Sequence, residues 1–481
     1  MNNIKSKTSK SLFWRSVEKF LVNGSQFVIS LVLARLLLPS DYGTIALLTI
    51  FIALSQVLIE GGFSQVIIQK QDRDSLSFST MFCCNIFTAL LLYLIIYIIA
   101  PNIASFYNLP ELTSVMRIYC ITLVINSLYI VKKTQLIMDL KFKVQAYITF
   151  ISVAISGILG IILAVYNYGV WALVFQQICN SILLCLLFNR FDMSLYSFHF
   201  SAEKFRNLFM KGSRLLVANI LQSVYSSLYS LIIGKFFSPK ELGLFTRGNQ
   251  MGQIVPSNVT DIFSNTMYPI FCQERQTEDF RQIYTRYIGL VCFVFFPCMV
   301  LLSTISFPLI DILLGDNWLD CASYMKILCI AYMFDPLMRL NAMIPTIMGE
   351  TTTTLKCEMV KKVVAVTILV VATSHSVLAV CYGIVLYSLI DIIISTKFNK
   401  IYMGITICGI FLSIKNALIV SIIQFAVISF VINEINNPFL SILVAVIFSL
   451  AIVLLTAFLL RFKEFDFLVN FVRNKMLRKT C

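Results

Sequence analysis

Apolar runs long enough to cross a bilayer follow one another along nearly the whole chain, separated by short polar breaks. A spanning helix needs about 20 predominantly apolar residues, and a window of that length resolves about fourteen candidate spans. The first lies near 12–38 and the last near 438–460. The eighth, near 241–272, and the tenth, near 318–348, are polar for their kind, and the eleventh lies near 358–373. The pattern predicts an all-α polytopic membrane protein.

One break occurs twice. The chain reads Ser30-Leu31-x-x-x-Arg35-x-x-x-Pro39-x-Asp41-x-Gly43, and later Ser230-Leu231-x-x-x-Lys235-x-x-x-Pro239-x-Glu241-x-Gly243. Each copy ends an apolar run on a cation, breaks it with proline and restarts it after an acid and a glycine. Arg35, Pro39 and Gly43, with Lys235, Pro239 and Gly243, are therefore read as turn anchors. The copies lie six spans apart, so they run the same way through the bilayer. That predicts two parallel six-helix bundles related by a pseudo-twofold axis along the membrane normal, a carrier architecture. The expected layout is a bundle over 1–190, a cytoplasmic linker with an interfacial helix over 191–207 and a second bundle over 208–400. Two further helices follow over 401–460, then a basic amphipathic tail over 461–481.

Composition and charge sharpen this picture. The chain of 481 residues is 58% hydrophobic and only 13% charged, with a mean hydropathy of +0.85, well above the roughly 45–50% apolar content of soluble domains. Its lysines and arginines gather in alternate loops, among them Lys132, Lys133, Lys141 and Lys143, and later Lys356, Lys361 and Lys362. The intervening loops near 101–112, 167–169, 373–376 and 433–438 have none. By the positive-inside rule both termini are cytoplasmic. The net charge of +14 is then a topology and headgroup signal, with no nucleic-acid partner implied.

Several function classes fall away. No loop is long enough for a soluble catalytic domain, no Walker phosphate loop is present, and the fourteen cysteines show no C-x-x-C spacing. The two histidines lie far apart in sequence, so no metal site and no cofactor are expected. The chain is not expected to be an enzyme.

Charges within spans mark candidate chemistry, because a buried charge at depth costs about 2.5–3.5 kcal/mol even on lenient scales. Arg117, Arg247, Lys326 and Arg339 are candidates for a cationic, substrate-binding cavity lining, and guanidinium forks suit phosphate. Arg117 and Lys326 also fit snorkelling to headgroups, and Asp335 with Arg339 also fits a pair four residues apart on one helix. Glu60, Asp261 and Asp335 are candidates for ion coupling. Asp391 reads as interfacial.

The run Leu33-Ala34-Arg35-Leu36-Leu37-Leu38-Pro39-Ser40-Asp41-Tyr42-Gly43 resembles the opening signature of polysaccharide repeat-unit exporters. These are the Wzx-type flippases of the multidrug/oligosaccharidyl-lipid/polysaccharide superfamily. Glu60-Gly61-Gly62-Phe63, the Pro269 region, and Met348-Gly349-Glu350-Thr351 leading to Lys361-Lys362 extend the resemblance along most of the chain. It fits best the branch of colanic-acid and teichuronic-acid exporters. Leu242 in the second turn and Cys272 after Pro269 depart from the pattern. The resemblance implies a carrier of undecaprenyl-diphosphate-linked oligosaccharide, working by alternating access in the bacterial inner membrane. It implies an H+ or Na+ counter-ion and a polysaccharide polymerase as partners. An ion-coupled multidrug or metabolite exporter of the same superfamily is the alternative.

Overall fold

The computed structural model describes residues 21–69, 74–191, 199–275, 277, 279–459, 462 and 465, with the side chains of 261, 262, 265 and 351 outside that description. All regular secondary structure among these residues is helical. Contacts divide the chain into Met1–Gly243 and Leu244–Cys481.

The first unit runs through α1 (Leu21–Leu36), α2 (Pro39–Glu60), α3 (Phe63–Gln69), α4 (Ser75–Phe106), α5 (Leu112–Tyr119) and α6 (Ile121–Met138). It continues with α7 (Phe142–Val165), α8 (Val170–Phe191), α9 (Ala202–Phe236) and the start of α10 (Pro239–Glu274). Its core joins Leu48 and Ile59 of α2, Met81 of α4, Leu112 and Met116 of α5, Leu123 and Val131 of α6 and Leu208 of α9. Gly61 and Gly62, at φ of +55° and +73°, end α2 in a left-handed turn that other residues adopt only with strain. A side chain on Gly62 would meet the Gly212 carbonyl, so α2 and α9 approach there backbone to backbone. Of the linker expected over 191–207, residues 192–198 lie outside the described residues and 202–207 open α9. Phe205 stacks on Phe209 and meets Phe63 edge-on, and Lys204 pairs with Asp74 at 2.9 Å.

The second unit continues α10 and adds α11 (Phe280–Thr304), α12 (Ser306–Leu314), a 3-10 turn (Asp316–Trp318), α13 (Leu319–Tyr332) and α14 (Asp335–Ile347). It ends with α15 (Thr351–Thr373), α16 (Val377–Met403), α17 (Ile407–Asn433) and α18 (Pro438–Leu459). Buried polar groups tie these helices together, as expected where no water competes. Asn341 of α14 is bonded by the Tyr284 hydroxyl of α11, and its carbonyl accepts from Asn399 of α16 at 2.8 Å. Gln424 of α17 donates to the Pro297 carbonyl of α11 at 2.9 Å and to Ser449 of α18 at 3.0 Å.

Among the described residues, 11 helical stretches are long and apolar enough to cross a membrane, and α1 is a shorter apolar helix. The expected first span is described only from Leu21 onward. Two other expected spans are helices too polar to qualify by composition. In α10 the dilution comes from residues such as Asn249, Gln250, Gln253 and Asn258, and in α15 from Lys356, Glu358, Lys361 and Lys362. One boundary differs more sharply. The third span was expected to stop near Pro101, whereas α4 runs through that proline to Phe106.

Candidate functional site

The repeated turns use the same chemistry twice. Pro39 and Pro239 are the first residues of α2 and α10, where a missing N–H costs nothing. The acid two positions on folds back over the turn: Asp41 accepts from the Leu38 N–H at 3.0 Å, and Glu241 accepts from the Ser238 N–H at 3.3 Å. In the second copy the Ser238 hydroxyl also accepts from the Glu241 N–H at 3.2 Å, completing a capping box. The two turns then meet. A Cβ on Gly43 would fall on the Pro239 carbonyl, and a Cβ on Gly243 would fall on that of Pro39. Lys235 donates to the Phe106 carbonyl at 2.6 Å with its ammonium 3.7 Å from the Phe106 ring centre, and so holds the last turn of α4. Arg35 is exposed.

Arg117 lines a cavity of about 440 Å3 in the first unit, together with Tyr93, Tyr97, Thr113, Ser114, Ile118 and Ile121. Its guanidinium lies 4.3 Å from the Tyr97 ring centre, and its Nε donates to the Tyr97 carbonyl at 3.3 Å. That carbonyl is available because its helical partner would be the N–H of residue 101, which is proline.

The other expected cations are held by separate local partners. Arg247 is only 4% exposed; it donates to Gln250 at 3.1 Å and its guanidinium lies 5.7 Å from the Trp318 ring centre. Lys326, half-buried, lies 5.8 Å from the Phe425 ring centre. Arg339 and Asp335 come together at 3.1 Å along α14. Glu60 is the last residue of α2, and Lys133 is the cation acting on it. The side chain of Asp261 lies outside the described residues. No cluster of three or more metal-ligating side chains occurs among the described residues.

Two further charges, read from the sequence as surface groups, are as enclosed as Arg247. Lys361 of α15 and Asp391 of α16 pair at 3.1 Å, each side chain 5% exposed. Asp391, expected at the interface, is therefore enclosed by protein. Lys361 also reaches Glu358, the Tyr387 hydroxyl donates to Asp391 Oδ2 at 3.2 Å, and Asp391 Oδ1 has no hydrogen-bond partner among the described residues. A signal was present in the sequence: the two charges lie about equally far from the turn between α15 and α16, so an antiparallel hairpin brings them to one depth.

A profile of the family described as "Polysaccharide biosynthesis protein" matches residues 32–323. The teichuronic acid biosynthesis protein TuaB of Bacillus subtilis (strain 168) is 22% identical over 71% of this chain and 71% of its own length. The lipopolysaccharide biosynthesis protein WzxC of Escherichia coli (strain K12) is 20% identical over 68% of this chain and 67% of its own. Among solved structures, the lipid II flippase MurJ in its inward closed conformation superposes with a TM-score of 0.73 at 13% identity, covering 93% of this chain and 98% of MurJ. At that identity the likeness establishes a shared fold.

Proposed function

The chain belongs to the polysaccharide biosynthesis protein family, and on that premise we propose that it flips a lipid-linked oligosaccharide repeat unit across the membrane and catalyses no reaction. The observation that carries this reading is the fold shared with a lipid II flippase over 93% of the chain, in a member of a polysaccharide family. The physics of such a substrate is consistent with it. The polyprenyl tail stays in hydrocarbon, the sugars need a polar path, and the diphosphate needs cations.

Within this reading the chain keeps the layout of two six-helix bundles and two added helices, with both termini cytoplasmic in a bacterial inner membrane. Arg117, Lys326 and Arg339 contact the substrate's phosphates and sugars, and Arg247 holds α10 against Trp318. Glu60, Asp261 and Asp335 remain assigned to an H+ or Na+ counter-ion, joined now by Asp391. The outgoing repeat unit is delivered to a polysaccharide polymerase.

The test is deletion of the gene in its native host, followed by measurement of lipid-linked saccharide on each side of the membrane. Accumulation on the cytoplasmic side with loss of the surface glycan supports the proposal. Intact surface glycan with altered drug susceptibility would replace it by the multidrug-exporter reading.

A further inference from the structure

The cavity around Arg117 has the construction of a receptor for an oxyanion. Pro101 removes the N–H that would bond the Tyr97 carbonyl, and the Arg117 Nε takes its place at 3.3 Å. With its central carbon 4.3 Å from the Tyr97 ring centre, the guanidinium is held at its Nε. Neither terminal amino group has a protein acceptor among the described residues. Tyr93, Tyr97, Thr113 and Ser114 contribute hydroxyls to the lining, and no carboxylate is among the lining residues. A pre-positioned guanidinium fork beside hydroxyls and without an acid matches the paired oxygens of phosphate.

The surroundings say what carries that phosphate. On the same helix as Tyr93 and Tyr97, Leu90, Leu94 and Ile98 are 50%, 55% and 64% exposed, an apolar surface suited to acyl chains. Ile118 and Ile121 add apolar side chains to the cavity wall. The bond from Lys235 to the Phe106 carbonyl places this end of α4 with the end of α9 that leads into the Pro239 turn. We propose that the cavity binds the phosphate head of a membrane lipid at the end of the first unit that carries the repeated turns. The inference deepens the export reading and rests on its assignment of Arg117 to phosphate, while lipid binding by the purified protein is read separately from export in cells. Two lipids present that chemistry, a polyprenyl phosphate carrier and a resident anionic phospholipid.

Full-length protein, delipidated in detergent, is titrated with undecaprenyl phosphate, with phosphatidylglycerol, and with diacylglycerol as the phosphate-free control, bound lipid being counted by native mass spectrometry. The expected result is uptake of phosphate-bearing lipid, weakened at least about tenfold by Arg117→Gln. Arg117→Lys keeps the charge without the fork, and Pro101→Ala restores a helical partner to the Tyr97 carbonyl. Each should weaken binding by a smaller factor. A loss confined to undecaprenyl phosphate assigns the cavity to the carrier, and an equal loss for both phosphate lipids assigns it to headgroups generally. Binding unchanged in Arg117→Gln, or diacylglycerol taken up as well as the phosphate lipids, overturns the proposal. Should Arg117→Gln fail to fold, Arg117→Lys and Thr113→Val decide by the same readout.

Discussion

The carbonyl of Pro239 occupies the space where a side chain on Gly43 would begin, and Pro39 stands in the same relation to Gly243. Nothing but backbone separates the two turns at this point. Gly43→Ala and Gly243→Ala should therefore each destabilise the protein, by about 1–3 kcal/mol or more for overpacking of this kind. Gly24→Ala, where a Cβ meets nothing within 4 Å, should be neutral or stabilise by up to about 1 kcal/mol. Thermal unfolding of the three purified variants gives the comparison; equal midpoints would mean that the turns are not in contact.

The Lys361–Asp391 pair makes a different kind of demand. Removing Lys361 leaves Asp391 charged, enclosed and without its cation, at a cost of about 3–5 kcal/mol, whereas removing Asp391 leaves the enclosed Lys361 with Glu358 alone. Lys361→Met and Asp391→Leu should thus each lower the yield of folded protein, and the double substitution should recover much of it. If the double variant is as poor as the sum of the singles, the two residues are not energetically coupled.

Arg247 and Arg339 should separate under the same substitution. Arg247 is enclosed against Trp318, so Arg247→Gln is expected to cost about 1–3 kcal/mol of stability through the polar groups it leaves unsatisfied. Arg339 is paired along an exposed helix face, its side chain 46% exposed, and such pairs contribute about 0–1 kcal/mol. Arg339→Gln should fold normally and lose surface glycan. Normal glycan together with normal folding in Arg339→Gln would remove that residue from the transport path.

Orientation can be read by labelling intact cells with a membrane-impermeant maleimide. Tyr168→Cys, in the short turn between α7 and α8, should react from outside. Lys141→Cys, whose native side chain is 57% exposed in the turn before α7, should react only after permeabilisation. The reverse order would invert the topology.

The repeat was legible because its punctuation is local: a proline, an acid two positions on and a glycine each act within one turn of helix, and their spacing survives in the string of letters. The spans were legible for a similar reason, since lipid asks for one long apolar window at a time. What escaped notice depends on partners distant in sequence. Lys361 lies beside Lys362 and near Lys356, so it counted towards a cytoplasmic charge cluster, although its side chain turns inward to Asp391. The passage of α4 through Pro101 was not legible because the group that takes over the missing hydrogen bond, the Arg117 Nε, comes from a different helix. Arg117 was named as a candidate from its charge and depth, whereas the reason its guanidinium is held in place lies in Pro101.

The meeting of the two turns also bears on how such a chain could arise. Each copy presents the same residues to the other, which is how two separate identical subunits touch across a two-fold axis. A single-copy ancestor bearing this turn would already possess a surface complementary to itself. Fusing two such genes end to end would join an existing dimer without inventing a contact. Afterwards neither copy could add a side chain at its glycine without striking the other's backbone, which accounts for glycine standing at both positions while the helices around them drifted apart.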